Sequence, residues 1–540
     1  MTPATAIAVL IHFTMATQAL EPSACQLPAC SCDEATHRND VSNGDETYTV
    51  ACFVKSFTHS DPTVAQFTPE ITSLKLVCSD PHAQSSLTSD SFHKLPDLVH
   101  LGLENCNFVT TKVDAFHSTP KLQSLEIKSC QFTEMPKDLF SKTPRLSRLT
   151  ITQCGLQTLP RLCHLRALEI LNVSGQGLLS MDEGVRGCGS DFALQNLTVL
   201  DISNNSLVEA PQALVEKVSS LKELYIGENK IKELSLGGAT ELEVLDALGQ
   251  ALHSADFMGG DLPAHLKILK LEGNGMVEFP TEKLQGFPNL TYLHLEEFGV
   301  TDRVWRVLPW LDNLQHLLVP ANHISSVTLT ASNVHLTHLN LTTNAITLIN
   351  ASSFASQKGL VEVDLSHNNI TKVMKGVFVN MPWLKTLKLN NNQLRVVLQS
   401  GFKNLPSLQF LFLNRNNLAS LPIFYLREMP SLKVLDVSYN HISGLPYLTR
   451  SPELVLLNAN FNNITTLMRS GISGLTNLEH MYLRGNMLQA VYSPVFLNAP
   501  SLLILDLREN QISRVEPFGN HPSLMFVLLE ENRIQVSALP

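Results

Sequence analysis

Hydrophobic residues recur at fixed places in a unit of about twenty-four residues along most of this chain. The segments "LVEVDLSHNNI" from Leu360, "LKTLKLNNNQL" from Leu384, "LQFLFLNRNNL" from Leu408 and "LKVLDVSYNHI" from Leu432 share the pattern L-x-x-L-x-L-x-x-N-x-L, each starting 24 residues after the last. The same pattern starts at 98, 122, 146, 168, 197, 221, 242, 266, 290, 314 and 336, and again at 454, 478, 502 and 524. A degenerate first copy, "ITSLKLVCS" from Ile71, makes twenty. Within each copy the L-x-L core reads as a short strand whose leucines turn inward and whose intervening residues turn outward. A single strand of this kind cannot bury its own apolar face, so the copies stack in parallel around a shared core. The predicted fold is an α/β-type repeat solenoid with a concave parallel sheet and an irregular convex side. At about 4.8 Å per copy its inner surface is roughly 90–95 Å long.

Two columns of the pattern carry structural chemistry. The ninth position is Asn in thirteen copies, from Asn205 to Asn532. It lies where the chain leaves the strand, and its amide is suited to pair backbone groups of neighbouring turns that burial would otherwise orphan. Cys106, Cys130 and Cys154 occupy the same position and read as buried thiols of that ladder. Phe116, Phe140, Phe354, Phe378, Phe402 and Phe496 recur at position nineteen and predict an interior aromatic spine. Irregular copies stand out. The 29-residue step from 168 to 197 contains "EGVRGCGSD", and Cys188 follows Cys163 by 25 residues, which predicts a disulfide between adjacent turns. Phe298 replaces the ladder Asn and should loosen it locally, while Cys78 has no assignable partner.

The N-terminus, "MTPATAIAVLIHFTMATQAL", reads as a secretory signal over residues 1–19, although it lacks a basic start. No later run approaches the roughly 18 apolar residues that a bilayer requires, so the chain as given is expected not to insert in a membrane. Residues 20–70 hold Cys25, Cys30, Cys32 and Cys52, a cluster that suggests two disulfides in a small cap ahead of the repeats of 71–540. A zinc site is the rival reading, disfavoured in an exported chain. Eight Asn-x-Ser/Thr sequons, at Asn172, Asn196, Asn204, Asn289, Asn340, Asn350, Asn369 and Asn463, point to the same compartment. Charge adds little: the net value of −10 is spread along the chain with no basic stripe, which argues against nucleic acid as a partner. No catalytic motif or cofactor fingerprint is present, so neither an enzyme nor a cofactor is expected.

These repeats, with the cysteine cluster before them, resemble the extracellular leucine-rich-repeat proteins of the typical 24-residue class, as in Toll-type receptors, chaoptin and Slit. The resemblance covers the chain from Ile71 onward together with Cys25, Cys30, Cys32 and Cys52, which resemble the N-terminal cysteine cap. It implies a curved, glycosylated recognition surface outside the cell, used in innate immunity, adhesion or developmental signalling. Such arrays normally end in a second cysteine cap. Here the last copy leaves Leu524, Val527, Leu529 and Ile534 uncovered, so the chain is expected either to continue in a longer receptor or to dimerise end to end.

Positions three, five, seven and eight of each copy face the predicted concave surface. Over the copies from 408 to 478 they bring Phe410, Phe412, Tyr439, Phe461 and Tyr482 together with Arg415 and Arg484, residue types that dominate protein-interface hot spots. No sequon lies between Asn369 and Asn463. This patch is therefore the expected binding surface for a protein ligand or co-receptor, against the alternative that its rings merely pack on one another. His316 and His338, with His294 one copy earlier, suggest either acid gating or metal binding, set against chance adjacency among nineteen histidines. Glu272, Glu296 and Glu297 beside Tyr292 suit a basic partner or are simply a solvated face. A receptor module and a self-associating adhesion scaffold are the competing functions.

Overall fold

A computed structural model of the chain describes residues 27–534 apart from 35–47, 59–60, 182–183, 185–193, 216, 237, 253–262, 275–278, 330, 399, 422–427, 446–447, 449–450, 469–471, 473 and 519–520. The signal segment, Cys25 and Cys188 lie outside the described residues. Two compact units, Met1–Val199 and Leu200–Pro540, divide the chain.

In the first unit Cys30–Glu34 pairs antiparallel with Tyr48–Val54, and every later partner is parallel: Ser73–Cys78, His100–Glu104, Ser124–Lys128, Arg148–Thr152 and Ile170–Asn172. Disulfide Cys30–Cys52 ties the antiparallel pair, and Cys32 is also disulfide-bonded. A second line of short strands, Gln84–Leu87, Asn107–Thr111 and Gln131–Phe132, runs beside the sheet.

The second unit repeats one arrangement. From Glu223–Tyr225 to Phe526–Leu528, three-residue strands pair in parallel and in strict register, so that Phe410 meets Val434, Leu411 meets Leu435 and Phe412 meets Asp436. The alternation explains the burial: Leu408, Leu411 and Leu413 are buried, whereas Phe410 and Phe412 between them are half-exposed. Helices are single turns, such as Gln212–Val215 and Val304–Val307. Opposite the sheet the position-nineteen phenylalanines stack, with centroids 5.1 Å apart for Phe354–Phe378 and 5.7 Å for Phe378–Phe402. The first unit has its own run, Phe92–Phe116–Phe140, at 5.9 and 6.3 Å. In the last copy Leu524, Val527, Leu529 and Ile534 are half-buried rather than buried.

The ladder is built as its chemistry requires. Asn416 Nδ2 donates to the carbonyls of Leu389, Leu413 and Asn414, while its Oδ1 accepts from the Leu394 amide. Asn392 and Asn440 repeat the pattern one coil to either side. Gln176 and Gln250 perform the same task, Gln176 accepting from the Cys154 and Leu156 amides and donating to Ile151 O. At Phe298 the next coil compensates: Asn322 Oδ1 accepts from both Phe298 N and Val300 N. The flanking bonds Leu271 N to His294 O and Glu297 N to Pro320 O stretch to 3.4 Å, the local loosening expected there.

One assignment in the thiol column is corrected. Cys106 is not a free thiol: it forms a disulfide with Cys78, the cysteine left without a partner by the repeat pattern. Cys130 and Cys154 remain free and buried, and burial pushes them up to about 12 and about 11 respectively, which leaves them inert. Cys130 Sγ accepts from Cys106 N at 3.4 Å and donates toward Leu103 O and Lys128 O, a weak imitation of the Asn geometry.

Candidate functional site

The residues expected to bind a partner separate into two rows. One lies on the strands, with side chains at positions three and five turned to solvent by the period of two. Phe410 and Phe412 share one strand, and Tyr482 lies three strands further along at the same position as Phe412, with Asp436 and Asn458 between them. Asp436 Oδ1 accepts from the Ser438 amide and hydroxyl and Oδ2 accepts from Asn458 Nδ2, so this carboxylate is satisfied within the fold. Tyr482 stacks on His480, centroids 6.2 Å apart. These strand aromatics therefore flank a polar interval instead of forming one sheet of rings.

The second row occupies position eight, where the chain turns out of the strand in the left-handed region: φ is 56° at Arg415, 53° at Tyr439 and Phe461, and 68° at Gly485. The amides of these residues donate to the following coil, Arg415 to Ser438 O, Tyr439 to Asn460 O and Phe461 to Arg484 O, which fixes one side chain directly beside the next. The result is a stack of planar groups. The Arg415 guanidinium lies 4.6 Å from the Tyr439 ring centre, Tyr439 and Phe461 stack at 4.6 Å with planes 22° apart, and the Arg484 guanidinium stands 5.8 Å from Phe461. A Cβ on Gly485 would lie 2.6 Å from Phe461 Cε1, so the glycine makes the space the ring occupies.

Electrostatics distinguish the two arginines. Arg484 pairs with Glu509, its Nε 2.8 Å from Oε1, and Arg508 clamps Asp506 with two bonds of 2.9 and 2.7 Å. Lys388 bridges Glu362 and Asp364 at 2.8 and 3.3 Å. Arg415 is exposed, and among the described residues no carboxylate lies within ion-pair distance of it. Repeat periodicity shows neither this difference nor the role of Gly485; both depend on how neighbouring coils orient side chains.

The histidine column is real as geometry. His316 and His338 stack at 4.3 Å with planes 10° apart, and Tyr292 stands 5.5 Å from His316. Burial, then the neighbouring His338, holds His316 below its ordinary value. His294 is not part of that stack: it sits between Glu272 and Glu296, at 3.2 and 3.6 Å. Against the upward pull of burial, the His294 hydrogen bond keeps Glu272 below the usual carboxylate range. No cluster of three or more His, Cys, Asp or Glu suited to a metal occurs among the described residues.

Of the sequons, Asn196, Asn204, Asn289, Asn350, Asn369 and Asn463 are exposed. Asn172 and Asn340 are half-buried, and their Oδ1 atoms accept from the Ser174 and Thr342 amides, the same cap that Asp364 makes to Ser366. Cys163 is disulfide-bonded.

The comparisons agree with this architecture. A leucine-rich-repeat model matches residues 195–249 and 358–418, a BspA-type leucine-rich-repeat model matches 71–173, and a further leucine-rich-repeat model matches 332–354 and 428–445. Fibromodulin of Sus scrofa is 33% identical over 110 residues, 20% of this chain and 73% of that sequence. The chain belongs to the leucine-rich-repeat family. Podocan of Mus musculus is 26% identical over 165 residues, 29% of this chain, and the match spans only a quarter (25%) of podocan's own length. The structure of the Arabidopsis receptor kinase HAESA in complex with the peptide hormone IDA and the co-receptor SERK1 superposes with a TM-score of 0.60 at 19% identity. That likeness covers 96% of this leucine-rich-repeat chain and 82% of HAESA, and it is a likeness of fold alone.

Proposed function

We propose that this leucine-rich-repeat chain is an extracellular recognition module that binds a protein partner through the solvent face of its sheet and the adjoining turns between Phe410 and Arg484, without catalysis. The stacked row Arg415–Tyr439–Phe461–Arg484 carries the reading. Tyr439 is 44% exposed although it is stacked, so the row offers a preordered planar surface to something outside the chain. The disulfides Cys30–Cys52 and Cys78–Cys106 favour an oxidising compartment, and the stretch from 370 to 462 contains no sequon that would shield the row with sugar. A solenoid of this fold engages a peptide and a co-receptor in the HAESA complex, which supports a similar use here. Kinship with Toll-type, chaoptin or Slit arrays, and a role in innate immune or cell-surface signalling, belong to this proposal.

The test uses the full secreted chain as a tetramerised probe against an array of extracellular proteins. Each partner found is re-measured with Phe412→Ala/Tyr482→Ala and with Tyr439→Ala/Phe461→Ala. Loss of binding with nearly unchanged thermal stability is expected. Undiminished binding by both variants, or an array without a partner, would remove the proposal.

A further inference from the structure

We infer that the position-eight row takes an extended acidic segment of a partner, with a partner carboxylate on the Arg415 guanidinium and an adjacent planar side chain set against the exposed side of the Tyr439–Phe461 stack. The inference rests on the recognition function proposed above and adds the chemistry of the ligand. Three observations carry it.

Charge comes first. Between Thr386 and Glu509, the fully charged cations at positions three to eight are Lys388, Arg415, Arg484 and Arg508, and all but Arg415 are matched by a carboxylate of the chain itself. A guanidinium presents a planar fork that fits a carboxylate with two parallel bonds, and stacking on a ring fixes the direction of that fork. Arg415 is so stacked, at 4.6 Å over Tyr439, and its N–H edge is not used by any carboxylate among the described residues.

Geometry comes second. The rings next to Arg415 advance one coil at a time, 4.6 Å between Tyr439 and Phe461, and the row ends at Arg484, which Glu509 neutralises. An extended peptide advances about 3.3 Å per residue. A carboxylate and a planar side chain two residues apart are therefore separated by about the distance from Arg415 to the Tyr439–Phe461 pair. The free charge stands at one end only, so the segment has one orientation.

Construction comes third. A residue with a side chain at 485 would displace Phe461, and φ there is +68°; the glycine leaves the Phe461 ring its place beside the turn, stacked on Tyr439. The shelf is thus formed before any partner arrives, which lowers the ordering cost of binding.

The probe is a fluorescein-labelled ten-residue Gly/Ser peptide carrying a central Asp-Gly-Phe, compared with Lys-Gly-Phe and Asp-Gly-Ala versions and with a heparin oligosaccharide, by anisotropy on the full chain. The Asp-Gly-Phe peptide should bind at least about tenfold more tightly than either peptide control. Arg415→Glu should abolish that preference and transfer it to the Lys-Gly-Phe peptide, and Arg415→Lys should retain part of it. Tyr439→Ala/Phe461→Ala should erase the difference between Phe and Ala peptides while leaving the charge preference. Equal binding of the acidic and basic peptides, no binding of any peptide, or binding of heparin alone would overturn the inference. If a partner found on the array depends on Phe412 and Tyr482 but is indifferent to Arg415→Glu, the recognition function stands and this inference falls.

Discussion

Replacing Asn440 tests the ladder on which every exposed side chain of the second unit is hung. Asn440 is 4% exposed; its Nδ2 donates to Leu413 O at 3.0 Å, Val437 O at 3.0 Å and Ser438 O at 3.2 Å, and its Oδ1 accepts from Leu418 N at 3.0 Å. The four bonds are not equivalent. Leu413 O also accepts from Asn416 and Val437 O from Asn462, so each keeps a donor after truncation. The buried Leu418 amide has no such reserve. Asn440→Ala therefore strands one buried N–H, at about 1–3 kcal/mol, and opens a small void, for a total of roughly 2–4 kcal/mol. Asn440→Cys should cost less, because a sulfur leaves a smaller void and donates to carbonyls at this position as Cys130 does, although Cys130 takes its amide from position nine of the preceding coil and not from position eleven, where Leu418 stands. Asn440→Asp keeps the acceptor but sets a carboxylate against three carbonyls, so at neutral pH it should be the worst of the three. Its carboxyl pKa is raised in the folded state, so its deficit relative to the parent shrinks as pH falls below that raised value. Urea unfolding gives the totals, and hydrogen exchange of a peptide containing Leu418 gives the local term. An Asn440→Ala loss below about 0.5 kcal/mol, unchanged protection at Leu418, or a cysteine variant worse than alanine would refute the reasoning.

Removing the Cys78–Cys106 bond by Cys78→Ser/Cys106→Ser, which opens a loop of sequence separation 28, should cost about 3.5 kcal/mol by loop entropy and show as lowered urea resistance of the first unit. The folded His316 titrates below its ordinary value of 6.5, so the unfolded chain binds that proton more readily. Stability that depends on neutral His316 is therefore complete at neutral pH and falls as pH drops below about 6.5, and His316→Gln should flatten the difference in melting temperature between pH 7.5 and 5.5. Gly485→Ala, at φ +68° and against Phe461, should cost roughly 1–2 kcal/mol. Combined with Phe461→Ala it should cost less than the sum of the single changes, as a double-mutant cycle would read.

What the residues alone disclosed follows from how strongly each is held by the repeat. Leu408, Leu411 and Leu413 are legible because one displaced leucine would turn a whole strand inside out, and Asn416 because it must serve backbone groups present in every coil. Gln176 and Gln250 do the same work yet escape a pattern written for Asn, since one extra methylene is absorbed by rotamers that a template does not record. Cys78 and Cys106 escaped for a sharper reason. The first two copies keep position for position in register, Val77 beside Glu104, so Cys78 at position eight reaches Cys106 at position nine only diagonally, and the equal spacing of Cys106, Cys130 and Cys154 pointed to a thiol column instead. The proposed recognition patch lies between these cases. That Phe410, Phe412, Tyr439, Phe461 and Tyr482 reach solvent was readable, because positions three, five, seven and eight turn away from the core, but their division into a strand row and a turn row was not. That division depends on the left-handed turn at position eight, which swings Tyr439 and Phe461 out of line with Phe412 and Tyr482 and onto one another. Once the rings stack, the guanidinium of Arg415 is carried to the end of the row, away from the satisfied Asp436, and its charge remains available to a partner.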